Sequence, residues 1–146
     1  TRYWRDWSSD VCSSDLDGLA AALLQMKSHG EAAEVLLRFE RAHPEDARAV
    51  YKRAWLLATA SEESVRNGQE AERLARKLLE MKGAGDPFAT DALAAALAEQ
   101  ARFEQAHPLA QSMLSSLEKL PQLPANVRDL LRRHAQTYLD SHPWRE

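Results

Sequence analysis

The sequence predicts an all-α fold, an α–α superhelix of about three helical hairpins followed by a C-terminal capping helix. Three observations predict it. The chain is rich in Ala and Leu and poor in β-branched residues, a composition that favours helix. Apolar residues recur three and four positions apart through most of its length, marking one buried face per helix. Small residues also return in pairs at a fixed interval, the pattern of a repeated supersecondary unit.

The first sixteen residues stand apart from this pattern. The chain opens at Thr1 without a methionine, so it reads as a piece of a longer protein. Ser-Ser-Asp occurs twice near the start, and no apolar period is present there. Trp7-Ser8-Ser9-Asp10-Val11-Cys12-Ser13-Ser14-Asp15-Leu16, preceded by Arg5-Asp6, resembles the in-frame translation of a sequencing-library adapter. That resemblance implies that residues 1–16 are a non-native, disordered tail, which is set aside for fold reasoning; the alternative is a genuine disordered N-terminal tail. Cys12 is the only cysteine. Residues 17–146 therefore offer no disulfide, thiolate nucleophile or Cys–metal chemistry, and cysteine usage selects no compartment.

Helices are predicted over residues 17–28, 31–42, 46–60, 68–82, 87–100, 103–119 and 125–140. In the first pair, Leu16, Leu19 and Leu23 surround Ala20, and Leu36 and Phe39 follow Ala32 on the partner helix. In the second, Val50 and Leu57 flank Ala54, with Ala75 and Leu78 after Ala71. In the third, Leu93 and Leu97 flank Ala94, and Ala110 and Met113 follow Ala106. Asp86 as N-cap with Pro87 at the first helical position is the strongest start signal. Leu120-Pro121-Gln122-Leu123-Pro124 breaks the chain before the last helix. There Val127, Leu130, Leu131, Ala135, Tyr138 and Leu139 form an apolar side, backed by Arg128, Asp129, Arg132, Arg133 and Gln136. Such a helix closes a repeat stack and keeps it dispersed in water. The division is thus a tail over 1–16, hairpins over 17–120, and a capping helix with its tail over 121–146.

The alanines set the period. Ala20 pairs with Ala32, Ala54 with Ala71 and Ala94 with Ala106, at separations of 12, 17 and 12 residues. A small residue on each helix lets the two axes approach while larger neighbours fill the flanks. Five extra residues fall between the helices of the second unit, in the polar stretch Thr59–Gly68, and lengthening a surface loop costs little. Ala20 and Ala54 lie 34 residues apart, the tetratricopeptide interval. The chain resembles a tetratricopeptide-repeat protein of bacterial type over residues 17–120. The resemblance is carried by His43-Pro44-Glu45-Asp46, Ala54-Trp55-Leu56-Leu57-Ala58-Thr59, Arg66-Asn67-Gly68, Asp86-Pro87, Asp91-Ala92-Leu93-Ala94 and Arg102-Phe103-Glu104-Gln105-Ala106. Pro143-Trp144-Arg145-Glu146 is similar to the ending of such chains. Four positions depart from the family pattern. Arg53 stands where a large apolar residue is usual. Pro108 should kink or delay its helix. Lys27 and Ala101 replace the glycine often found between paired helices.

Little in the sequence points to chemistry. His29, His43, His107, His134 and His142 are scattered, three of them before proline, without metal-ligand spacing, so neither metal nor cofactor is expected. Gly83-Ala84-Gly85 lacks the remainder of a phosphate loop and reads as a helix end. Glu31/Glu34, Glu62/Glu63 and Glu70/Glu72 read as solvated helix faces rather than catalytic carboxylates. No nucleophile, base and orienting group are organised together, so no enzyme activity is expected. Arg128, Arg132, Arg133 and His134 form a small basic patch on a helix back. The formal charge is −3, and setting aside Arg2, Arg5, Asp6, Asp10 and Asp15 leaves −2, so nucleic acid is not an expected partner. No apolar run approaches the ~18 residues of a membrane-spanning helix, and no membrane contact is expected of this piece.

Stacked hairpins line a concave groove with their first helices. Arg48, Tyr51 and Trp55 of the second unit, and Phe88 and Asp91 of the third, are the residues expected to face it. Aromatics beside an arginine suit a peptide-binding floor, although Trp55 and Phe88 could equally pack between hairpins. The implied function is a non-catalytic protein–protein interaction scaffold with a protein or peptide partner. Leu19, Leu23 and Leu36 are expected to expose an apolar N-terminal edge through which copies could associate. The alternative is a C-terminal accessory domain of a larger enzyme, such as a membrane glycosyltransferase, whose catalytic part lies upstream.

Overall fold

The computed structural model describes residues 13–146. They form α1 (Ser13–Gln25), α2 (His29–Ala42), α3 (Ala47–Thr59), α4 (Gly68–Lys82), α5 (Pro87–Glu99), α6 (Phe103–Glu118) and α7 (Ala125–Leu139), with no strand among them. Each helix packs on the next in sequence, and α5 additionally meets α3 and α7. The paired alanines Ala20, Ala32, Ala54, Ala71, Ala94 and Ala106 are all fully buried. Ala20 and Ala32 share one apolar cluster with Val35, Leu36 and Phe39. The other two pairs share a larger one that extends to Met113, Leu131 and Tyr138.

Helix α5 is central. Its residues from Ala89 to Ala98 are buried on every side. Alanines provide helix propensity without bulk, so α3, α4, α6 and α7 can all approach it.

Turn chemistry repeats with the helices. In each hairpin the residue that caps the second helix donates its backbone N–H to a carbonyl near the end of the first. Ser28 reaches Leu23 O at 2.9 Å, Arg102 reaches Leu97 O at 2.9 Å, and Asn67 reaches Leu57 O at 2.8 Å. Two residues separate the helix end from this donor in the first and third hairpins, whereas residues 60–66 do so in the second. The five-residue insertion therefore loops out between two fixed points. Between hairpins, Asp46 and Asp86 play matching parts. Each turns back on the preceding C-cap residue and accepts N–H bonds at the start of the next helix, from Arg48 in one case and from Phe88 and Ala89 in the other.

Several expectations need correction. Helix α1 starts at Ser13 rather than at 17, and Leu16 is buried in the first apolar cluster, so the boundary drawn at residue 16 falls inside a helix. The rest of the expected tail, residues 1–12, lies outside the described residues. Pro108 does not delay α6, which begins at Phe103 and is assigned without interruption. Pro108 and Glu104 are exposed, so the carbonyl deprived of its helix donor faces water. Lys27 and Ala101 do not spoil their turns. Both adopt left-handed backbone (φ 61° and 58°), closing the glycine-type C-cap with N–H bonds to Leu24 and Ala98. Ser141 does the same after α7 at φ 61°. Arg53 is accommodated by Glu70, its guanidinium 3.1 Å from the carboxylate across the hairpin. Leu36 is fully buried and Leu19 and Leu23 are half-buried, because α1 and α2 cover them. Met26 and Leu130 are the large hydrophobics that stand exposed among the described residues.

Candidate functional site

The helical phase of α3 places Tyr51 and Trp55 one turn apart, and α5 brings Phe88 beside them. Tyr51 stacks on Trp55 at 6.2 Å between ring centroids and meets Phe88 edge-on at 6.2 Å. Trp55 stacks on His134 of α7 at 4.9 Å, and His134 lies 4.2 Å from Trp144. Phe88, Tyr51, Trp55, His134 and Trp144 thus form one continuous aromatic row across α5, α3, α7 and the C-terminal segment. Burial pushes the Tyr51 phenol well above its ordinary range, reinforced by the nearby charges of Asp91, Glu146 and Asp86.

Of the five residues expected to line the groove, the structure brings Tyr51, Trp55 and Phe88 together. Arg48 lies at the edge, more than half exposed and paired with Asp46 at 3.0 Å. Asp91 is the exception. It is fully buried, because α7 lays two side chains over it. Tyr138 donates its hydroxyl to Oδ1 at 2.9 Å, and His134 Nδ1 is 2.7 Å from Oδ2. We assign the Nδ1–H tautomer to His134 on that contact. Burial raises the Asp91 carboxyl above its ordinary range, against the lowering influence of the His134 and Tyr138 hydrogen bonds. His134 therefore belongs to the core rather than to the basic patch in which Arg128, Arg132 and Arg133 place it. The signal was available: His134 follows Leu131 by three positions and precedes Tyr138 by four, on the apolar side of its helix.

The C-terminal segment was the larger omission. Residues 142–146 have no regular secondary structure and lie over the aromatic row. The Glu146 N–H donates to Thr59 O at 2.9 Å, and the Trp55 indole N–H donates to Glu146 Oε1 at 2.9 Å. Arg145 pairs with Glu99 at 2.5 Å. Glu99 also pairs at 3.0 Å with Arg66, whose guanidinium in turn holds the carbonyls of Ala60 and Ser61 in the inserted loop. Nothing periodic announces these contacts.

An open cavity of about 370 Å³ lies between α1 and α3, lined by Ala21, Leu24, Leu56, Tyr51, Trp55 and Glu146. Lys27 and Lys52 lie on its border, the latter bound to Asp17. Among the described residues, no group of three or more metal-ligating side chains converges, and no helix is long and apolar enough to cross a membrane. No hydroxyl or thiol among them is hydrogen-bonded to His134 Nε2, which is buried. Compared with known proteins, the chain matches no family model and no curated protein.

Proposed function

We propose that this chain is a non-catalytic interaction module, a tetratricopeptide-like stack whose first helices present an aromatic groove to an extended polypeptide. The observation that carries the reading is the aromatic row Phe88–Tyr51–Trp55 beside an open apolar cavity. Rigid aromatics on adjoining helices supply contact area at little conformational cost, and such anchors dominate binding energies. The matching turns of the three hairpins, with period-spaced alanines on their facing helices, support the repeat assignment.

Selection of peptides from a random displayed library on the immobilised chain tests this. Enrichment that is lost with Tyr51→Ala or Phe88→Ala, in proteins that keep their helical circular dichroism, is the expected result. Absence of any enrichment on the folded chain sinks the reading.

A further inference from the structure

We propose, resting on the interaction reading above, that the groove over α3, α5 and α7 recognises an extended segment carrying an aromatic, a basic and an acidic side chain in succession, and that residues 143–146 occupy it in cis.

The argument begins at the end of α3. In the first and third hairpins a tight turn uses the last helical carbonyls: Leu23 and Leu24 after α1, Leu97 and Ala98 after α5, accept N–H bonds from the turn itself. The inserted loop of the second hairpin returns only one such donor, Asn67 N–H to Leu57 O. The Ala58 carbonyl, counterpart of Leu24 and Ala98, is thereby left for another segment, beside that of Thr59, the last residue of the helix. Thr59 O takes the Glu146 N–H at 2.9 Å, and Ala58 O has the Arg145 guanidinium at 3.5 Å. An unused helix end is thereby converted into a main-chain acceptor for an extended chain, a contact that carries affinity without sequence information.

Selectivity comes from three successive side chains, each with its own seat. Trp144 packs on the His134 ring. Arg145 meets Glu99, a carboxylate already flanked by Arg66. Glu146 accepts from the Trp55 indole. The order aromatic, basic, acidic is thus written into α7, α5 and α3 in turn. A partner segment with residues after the acidic position places them beside the cavity between α1 and α3 that Glu146 lines. The cis segment has the advantage of tethering, which gives it a local concentration in the millimolar range.

The test uses a fluorescent peptide, Ser-His-Pro-Trp-Arg-Glu followed by two leucines, against the full chain and a chain ending at His142. The shortened chain is expected to bind it at least tenfold more tightly than the full chain, and Glu99→Gln in the shortened chain to weaken binding about fivefold. Scrambling the order of Trp, Arg and Glu should abolish it. Equal binding by both chains, or none by a shortened chain that retains its helical content and melting transition, overturns the proposal. Should the shortened chain unfold, the full-length Trp144→Ala/Arg145→Ala variant takes its place, with the same tenfold gain expected and no gain overturning the proposal. If library selection on the shortened chain enriches peptides without the aromatic–basic–acidic order, this inference fails while the interaction reading stands. No enrichment at all removes both.

Discussion

The indole N–H of Trp55 lies 2.9 Å from Oε1 of Glu146, joining the middle of α3 to a residue 91 positions later. Trp55→Phe keeps most of the stacking surface against His134 and removes this one bond. A hydrogen bond to an exposed carboxylate contributes about 1 kcal/mol. The variant should show faster amide hydrogen exchange at Arg145 and Glu146 with a nearly unchanged melting temperature. Unchanged exchange at both amides would show that the bond does not hold the segment.

Asp91 gives a dependence on pH. Its carboxyl is held above the ordinary value of 3.8, chiefly by burial, while His134 and Tyr138 oppose the rise. A carboxyl that binds its proton more tightly in the folded state adds stability below its unfolded value, and loses it as pH rises through the folded value. Asp91→Asn keeps the shape and carries no charge. Relative to the parent chain, the variant should gain stability as pH rises above the ordinary carboxyl value of 3.8, read as urea midpoints across the range. A gap that stays constant with pH contradicts this account.

The acid side carries the opposite sign at half-buried carboxylates. Glu70 is held below its usual range by hydrogen bonds from Arg73 and Arg53, outweighing burial. For Glu72 burial pushes upward, but hydrogen bonds from Gln100 and Arg76 and the charges of Arg102 and Arg76 win. Both contribute stability above the unfolded value of 4.5 that is lost as pH falls through their folded values. Glu70→Gln and Glu72→Gln should each flatten the loss of urea midpoint on acidification below that point. A double variant with the parent's slope would remove these pairs from the acid response.

Lys27 and Ala101 sit at φ 61° and 58° with side chains that disfavour that region. Left-handed backbone costs a residue with a Cβ roughly 1–2 kcal/mol, partly offset by the greater freedom of glycine when unfolded. Ala101→Gly should therefore raise stability by about 0.5–1 kcal/mol, measured by denaturant midpoint. Gly68 is the converse case. A Cβ there would come within 2.7 Å of Gln100 Cγ. Gln100 is pinned by bonds to Gly68 O, Glu72 and Ala96 O. Gly68→Ala should cost about 1–3 kcal/mol. A neutral outcome would mean that Gln100 moves aside freely.

Helix positions were readable because their signals are local. The alanine period, Asp86-Pro87, and Leu120–Pro124 each act within a turn or two, and α4 falls over the predicted residues 68–82. The first helix starts at Ser13 rather than at 17, because the apolar spacing of Leu19 and Leu23 extends back to the buried Leu16. The site was half readable. Tyr51, Trp55 and Phe88 follow from helical phase. Asp91 does not, since only the docking of α7 places Tyr138 and His134 against it. The seating of residues 144–146 joins positions too distant in sequence for any period to betray, and one of its acceptors, the Ala58 carbonyl, is available through loop length rather than residue type.

That loop has a consequence for symmetry. An array of interchangeable units offers an extended strand several equivalent resting places, displaced by one unit each. Among the three hairpins, the second has residues 60–66 looped out and the Ala58 carbonyl released from its turn toward another segment. Sliding by a unit in either direction meets a closed turn instead. On the proposed interaction reading, this short length of added backbone gives a bound peptide a single address and fixes the frame in which its sequence is read.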